Sequence, residues 1–328
     1  MWQRAAAAFL VIGSVVTGVR ASELAQTPVR RAPADLAVPY RHYSLKLRRF
    51  CPIPSQVAGV LLKVRINGGR PLEMVLDSGA DLMVIGAKAA RSAGISAESA
   101  KDLVGLGNRP VKVGRAETVD IGPVSFRNCR VGFVKGRVFE GADGVIPLSM
   151  FSQFRLRLDL HKKMLDLFPY PHRDGPSIRA GGGHNLLLVS AVLNGEQKGY
   201  VILDTGAYCS GISRKAARTL SGFPMFTDVP LETGTGVAAG QRVSSLIHFA
   251  VADQDLTPRK VLAMDLSNVS RHYGLEVIGV LGFPALTNHI LTVDYRDGWV
   301  LIDPPQSHSA AQPLAGDNAK PPVPLAFQ

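Results

Sequence analysis

The chain has 328 residues, of which 46% are hydrophobic and 7% aromatic, so it can bury a large core and is not mainly disordered. Its 37 Lys and Arg residues exceed its 26 Asp and Glu residues and give a formal net charge of +11, but no nucleic-acid-reading module is recognisable and we expect no nucleic-acid partner. Three cysteines are too few for a disulfide-rich scaffold, and one bridge, between Cys51 and Cys129, remains an alternative to free thiols.

Residues 1–21 have the features of a secretory signal peptide. Arg4 precedes an apolar run from Ala5 to about Val16, and Val19-Arg20-Ala21 forms a small-x-small cleavage site. An uncleaved membrane anchor is the alternative, but the run is shorter than the roughly 20 residues that span a bilayer. No later segment is long enough to do so. We therefore expect an exported protein, periplasmic or secreted, with no stable membrane span after signal removal.

Residues 22–56 form a leader rich in proline and arginine. We interpret it as a solvated linker. A flexible arm, a contact with an anionic envelope surface and a pro-segment that covers a cleft remain alternatives. Its basic residues are Arg30, Arg31, Arg41, Lys46, Arg48 and Arg49.

The first folded unit is predicted at residues 57–170. Val60–Ile66 and Leu72–Leu76 are expected strands joined by the turn at 67–69, and Ala87–Ala93 is an expected short helix. The glycine-bearing stretch Val104–Val119 predicts a mobile hairpin or an ordinary exposed one. Further strands are expected at Val131–Val134, Phe154–Leu158 and Met164–Phe168.

Residues 171–185 are predicted to link this unit to a second one at residues 186–304, and residues 305–328 are predicted to be a disordered tail. The second unit repeats the strand–turn–strand opening and a short helix at Arg214–Leu220. Its later strands are expected at Leu246–Val251, Val261–Met264, Ile290–Val293 and Trp299–Ile302.

The two units contain matching sequence landmarks. Each has an apolar run that ends in an acid, a hydroxyl residue, glycine and alanine, at 77–80 and at 204–207. An Asn-Gly pair lies ten residues before each acid, and a Lys-Ala-Ala-Arg segment follows each at the same offset of 127 residues. Later landmarks, such as Gly144 and Gly279, are offset by 135, so about eight residues are inserted between 219 and 278. The chain is a tandem duplication.

These repeats resemble the retropepsin-like and pepsin-like aspartic peptidases. The alanine after each glycine is closer to the retropepsin-like branch. The resemblance covers about residues 57–304 and implies an all-β, bilobal acid-protease fold built from two β-barrel repeats with short helices. It also implies an aspartic-type endopeptidase, a hydrolase of peptide bonds that is monomeric and binds polypeptide in an extended conformation.

The resemblance assigns roles to particular residues. Asp77 and Asp204 would be the catalytic pair, sharing one proton and activating water without a metal, another cofactor or a covalent intermediate. Ser78, Gly79, Thr205 and Gly206 would support the pair. Gly144 and Gly279 would form the second apolar-Gly element, and the candidate flaps would be hairpins containing Gly105, Gly107, Gly234 and Gly236.

The first repeat departs from the family pattern, because Pro147 stands where the second repeat has Gly282. This departure motivates an alternative hypothesis, a catalytically weak or inactive peptide-binding protein with the same fold. Other hydrolase classes lack their motifs: there is no H-E-x-x-H, no G-x-S-x-G and no histidine that a motif places beside Cys209.

Overall fold

The computed structural model describes residues 34–52, 57–170, 186–220, 225–243, 245–252, 254–304 and 323–324. The predicted signal peptide and the predicted linker at 171–185 lie outside these residues. Strands dominate the described part of the chain, and its helices are short. The predicted all-β, bilobal fold class is confirmed.

The strands of the first unit and its leader follow one another with one short α-helix and one 3₁₀ turn. In chain order they are β1 (Asp35–Leu36), β2 (Tyr43–Lys46), β3 (Arg48–Phe50), β4 (Gly59–Ile66), β5 (Leu72–Asp77), β6 (Met83–Gly86), α1 (Ala87–Ser92), β7 (Ser99–Val104), β8 (Asn108–Ile121), β9 (Val124–Val134), β10 (Gly144–Pro147), the 3₁₀ turn Leu148–Phe151, β11 (Arg155–Asp159) and β12 (Met164–Phe168).

The second unit repeats this order and adds a helix, α3, before its last core strand. Its elements are β13 (Leu188–Leu193), β14 (Gln197–Asp204), β15 (Ser210–Ser213), α2 (Arg214–Thr219), β16 (Met225–Thr233), β17 (Gly236–Val243), β18 (Phe249–Val251), β19 (Gln254–Asp255), β20 (Val261–Met264), α3 (Ser267–Tyr273), β21 (Val277–Gly282), α4 (Phe283–Leu286), β22 (Ile290–Asp294), β23 (Trp299–Asp303) and β24 (Val323–Pro324).

Each unit forms its own curved sheet, and a third sheet joins them. Among the described strands, the first sheet runs β1-β9-β6-β10-β5-β4-β8-β7 with β3 beside β4, and the second runs β16-β17-β20-β15-β21-β14-β13-β18-β19. The joining sheet runs β2-β12-β11-β22-β23-β24. Its centre is the antiparallel pair β11 and β22, so equivalent strands of the two repeats meet side by side.

The opening hairpins of the two repeats turn in the same way. Asn67 and Gly68 have φ of 48° and 69°, and Asn194 and Gly195 have φ of 48° and 74°. Two successive left-handed residues form the tight hairpin turn that matches strand twist, which is why Asn-Gly occurs at both places. The predicted short helices at 87–93 and 214–220 are also present.

The leader is part of the folded body, so the solvated-linker interpretation is wrong for residues 34–52. Strand β2 pairs with β12 at the edge of the joining sheet, and β3 pairs with β4. Leu45, Leu47 and Phe50 are at most 3% exposed. The sequence did not indicate the pairing of β2 because its partner β12 lies more than a hundred residues further along the chain.

Two further sequence expectations are corrected. Val323 and Pro324 pair with β23, so the disordered-tail prediction does not hold for these two residues. Cys51, Cys129 and Cys209 are all free thiols, so the disulfide considered between Cys51 and Cys129 is not formed.

Candidate active site

The two acids of the repeated motif occupy equivalent strand ends. Asp77 ends β5, which pairs in parallel with β10, and Asp204 ends β14, which pairs in parallel with β21. Asp77 lies opposite Pro147 in the ladder, as Asp204 lies opposite Gly282. The proline therefore does not alter the register of the first repeat.

Gly144 and Gly279 lie in the strands beside these acids, where neighbouring chain leaves no room for a side chain. A Cβ on Gly144 would be 2.2 Å from the carbonyl oxygen of Val84, and one on Gly279 would be 2.9 Å from that of Gly211. Each glycine thus lets β10 or β21 pass close to the strand that follows the acid. The second apolar-Gly element predicted from the sequence corresponds to β10 and β21 in the structure.

Ser78 and Thr205 connect the two acid-bearing loops. The Ser78 N–H donates to Thr205 Oγ1 at 3.1 Å, and the Thr205 N–H donates to Ser78 Oγ at 3.0 Å. Each hydroxyl also donates across the interface, Ser78 to the carbonyl of Leu203 at 2.7 Å and Thr205 to that of Leu76 at 2.8 Å. These four buried bonds fix the loops relative to each other.

Gly79 and Gly206 lie against the carboxyl group of the opposite repeat. A Cβ on Gly79 would be 2.5 Å from Asp204 Cγ, and one on Gly206 would be 2.4 Å from Asp77 Cγ. No real Cβ fits at these distances, so both positions require glycine. The arrangement brings Asp77 and Asp204 face to face across the pseudo-twofold axis.

Backbone N–H groups hold one oxygen of each carboxyl group. Gly79 donates to Asp77 Oδ1 at 2.7 Å, and Gly206 and Ala207 donate to Asp204 Oδ1 at 2.8 and 2.9 Å. The two carboxyl groups are close enough for each to affect the pKa of the other. Neither Oδ2 atom has a hydrogen-bond partner in the described part of the chain.

Burial and mutual repulsion govern the protonation of the pair. Burial raises the pKa of both Asp77 and Asp204 above the ordinary value of a carboxyl group, and the charge of Asp204 raises that of Asp77 further. Two facing carboxylates cannot both ionise cheaply, so we expect the pair to hold one proton over a wide pH range and to titrate as a unit.

The predicted flap glycines lie at the tips of two hairpins. Gly105 and Gly107 lie between β7 and β8, while Gly234 and Gly236 lie at the turn from β16 to β17. The tips touch: the Gly107 N–H donates to Thr235 Oγ1 at 3.2 Å. The predicted hairpin of the first repeat therefore contacts the second repeat at its tip, so it is not an ordinary exposed hairpin.

Both carboxyl groups are inaccessible in this conformation. Asp77 and Asp204 are each 0% exposed. The carboxyl pair is therefore closed to solvent in this conformation. One continuous cluster of buried apolar side chains includes Leu103 and Val111 from the first hairpin and Leu231 from the second.

Tyr295 and Cys209 also lie near the acids, and the repeated motif did not indicate a role for either. Tyr295 is 4% exposed, its hydroxyl has no partner among the described residues, and burial together with the nearby Asp77 raises its pKa. The equivalent residue of the first repeat is Leu160, so comparison of the two repeats did not point to Tyr295. Burial and the nearby Asp204 raise the pKa of Cys209 to about 12, which disfavours a thiolate nucleophile there.

Residues 62–149 match the family described as aspartyl protease. No curated protein matches the sequence. Among solved structures, the aspartic proteinase from Irpex lacteus is similar, with a TM-score of 0.52 and 13% identity over 80% of this chain and 97% of that chain. At this identity the likeness concerns the fold. The family match lies within the first repeat, and the strand-dominated, bilobal fold is similar to that of the solved aspartic proteinase.

Proposed function

We propose that the protein is an exported aspartic endopeptidase, in which Asp77 and Asp204 are the catalytic residues. The observation that carries the proposal is their reciprocal setting. Each carboxyl group faces the other over a glycine of the opposite repeat and accepts backbone N–H groups at Oδ1. This geometry suits general acid–base chemistry on a single water molecule.

Because the pair holds a single proton, one carboxyl group acts as the base and the other as the acid. The ionised carboxylate takes a proton from water, and the protonated carboxyl group gives its proton to the carbonyl oxygen of the scissile bond. Water attacks the carbonyl carbon, and the tetrahedral species collapses when the amide nitrogen receives a proton. Because the pseudo-twofold axis relates the two acids, either can begin as the acid.

The substrate would be a polypeptide in an extended conformation. The two hairpins offer strand edges above the carboxyl pair, with which an extended main chain can form hydrogen bonds. Both acids come from one chain, so a monomer holds the complete pair. Among the described residues, no helix is long and apolar enough to cross a bilayer.

Cleavage of a diverse peptide library tests the proposed activity. We expect wild type to cleave, and we expect Asp77→Asn and Asp204→Asn to lose activity by at least about 10³-fold, since each removes one half of the acid–base pair. Asp143→Asn is the matched control, because Asp143 lies in the first repeat but pairs with Arg70 at 2.7 Å. Equal cleavage by all four proteins would contradict the proposal.

Export is proposed from the sequence of residues 1–21. The mature protein isolated from an expressing host should begin at Ser22 and be found in the periplasm or the medium. Amino-terminal sequencing of the fractionated protein tests this, and an intact amino terminus in the cytoplasmic fraction would exclude it.

A second candidate is peptide binding without turnover, which the complete burial of both carboxyl groups favours. The same library separates the two functions. A binding protein would retain peptides unchanged after long incubation, and Asp77→Asn would bind as well as wild type.

A further inference from the structure

Polar contacts hold the tip of the first hairpin against the second repeat, and we call them the interlobe clasp. Its residues are Gly105, Gly107, Arg109, Thr235 and Asn268. The side-chain amide of Asn268 donates to the Gly105 carbonyl at 3.2 Å and to Asn108 Oδ1 at 2.8 Å. Arg109 donates to the Gly234 carbonyl at 3.4 Å and to the Lys135 carbonyl at 3.1 Å.

Hydrogen bonds within the second hairpin hold Thr235 in place. Its hydroxyl is 3.0 Å from Thr233 Oγ1, and its N–H donates to the same oxygen at 3.2 Å. Thr235 is 4% exposed although it lies at a hairpin tip. The second hairpin therefore presents a fixed oxygen to the Gly107 N–H.

Asn268 belongs to an element that the duplication did not create. It lies in α3, between β20 and β21, whereas residues 135–143 between β9 and β10 contain no helix. The offset between the repeats grows by eight residues within the region that contains α3. The second repeat has thus acquired a helix whose amide reaches the hairpin of the first.

We propose that Asn268 is a positioning residue whose contacts with the first hairpin control the access of polypeptide to the carboxyl pair. The clasp joins both hairpin tips and α3, and both carboxyl groups are 0% exposed. The hairpin residues Leu103, Val111 and Leu231 share one apolar cluster with Ala80 and Ala207 of the acid-bearing loops, so separation of the hairpins would open the carboxyl pair to a chain segment. The part of the proposal that concerns polypeptide access rests on the proposed function, whereas the part that concerns hairpin closure does not.

Hydrogen exchange tests hairpin closure without any need for activity. In Asn268→Ala, amides of residues 103–111 should exchange about tenfold faster than in wild type, because loss of the amide removes about one net hydrogen bond's stabilisation from the closed form. Asn288→Ala is the matched control, since Asn288 is an exposed asparagine of the same repeat. Exchange in Asn268→Ala that equals the control would overturn the proposal.

Peptide cleavage tests the consequence for access. The apparent affinity for a peptide is proportional to the fraction of molecules that are open. Because Asn268→Ala raises that fraction, it should lower KM about three- to tenfold. An unchanged KM in a variant with faster hairpin exchange would overturn the control of access. If wild type cleaves no peptide, the proposed function fails, and the exchange experiment still decides whether Asn268 closes the hairpin.

A reversible disulfide can hold the two hairpin tips together in place of the hydrogen bond between Gly107 and Thr235. A Cβ on Gly107 would be 3.8 Å from Thr235 Oγ1, a separation that a disulfide between Gly107→Cys and Thr235→Cys can bridge with small adjustments. The pair is made with Cys51→Ser, which removes the exposed thiol. The oxidised protein should cleave at least tenfold more slowly than the same sample after reduction. Equal rates before and after reduction would contradict the clasp.

Discussion

Ser78 and Thr205 exchange hydrogen bonds at the centre of the molecule, each accepting the backbone N–H of the other through its side-chain oxygen at 3.1 Å or less. Both side chains are fully buried. Because the residues come from different repeats, the exchange makes the acid-bearing loops one rigid unit. The distance between Asp77 and Asp204 therefore depends on two hydroxyl groups that carry no charge.

Removing the Thr205 hydroxyl should destabilise the protein more than removing its methyl group. Thr205→Val keeps the shape but leaves the Ser78 N–H and the Leu76 carbonyl without their partner, at a cost of about 2–4 kcal/mol in unfolding free energy. Thr205→Ser keeps the hydroxyl and should cost about 1 kcal/mol. Urea unfolding compares them, and a Val variant as stable as the Ser variant would contradict the role of the hydroxyl.

A methyl group at either glycine beneath the carboxyl pair should separate the acids. In Gly79→Ala and Gly206→Ala the new Cβ would overlap the opposite carboxyl group, 2.5 Å from Asp204 Cγ or 2.4 Å from Asp77 Cγ. We expect both variants to lose at least about 10²-fold in kcat/KM, because misplacement of about 1 Å has that effect. The pseudo-twofold axis predicts losses of similar size, so full activity in either variant would contradict the geometry.

Stability should fall with rising pH because of the carboxyl pair. Burial raises the pKa of Asp77 and Asp204 in the folded state, so the folded protein binds protons more tightly than the unfolded chain. This contribution is complete below the unfolded pKa of about 4 and is lost as pH rises through the raised pKa values of the pair.

The measurement for this prediction is the difference in unfolding free energy between wild type and Asp204→Asn from pH 4 to pH 8. The Asn variant cannot ionise at this position, so it should gain about 1–3 kcal/mol relative to wild type across this range. Carboxyl groups outside the pair change both proteins alike and cancel in the difference. A difference that is constant with pH would show that the pair does not share a proton.

The leader strand should be needed for stability. Phe50 is 2% exposed and packs in the apolar cluster that reaches the cleft, so Phe50→Ala should cost about 3–5 kcal/mol. Arg49→Ala, at an exposed neighbouring position, is the control and should change stability by less than about 0.5 kcal/mol. Equal stability of the two variants would mean that residues 34–52 are dispensable.

The sequence predicted features that repeat within a few residues of the acids. Short motifs that occur in both repeats predicted three of these features. They are the strands that end at Asp77 and Asp204, the Asn-Gly turns, and the glycines at 79 and 206. The departure at Pro147 suggested an altered first repeat, but Pro147 has an extended backbone and keeps the parallel register with β5.

The features that sequence reasoning missed depend on contacts between distant segments. Strand β2 finds its partner more than a hundred residues later, and nothing in its composition identifies β12. The sequence pattern gave Asn268 no role, because only the fold of α3 places its amide against Gly105. Burial of the carboxyl groups likewise depends on both hairpins meeting, which no single segment encodes.

The most direct test of the account compares kcat/KM for one cleaved peptide in wild type, Asp77→Asn, Asp204→Asn and the double variant. If the two carboxyl groups act as one unit with one proton, each single substitution should reduce kcat/KM to nearly the level of the double variant, at least about 10³-fold below wild type. Activity in either single variant that stays near wild type, or losses that simply multiply in the double variant, would contradict the shared-proton pair.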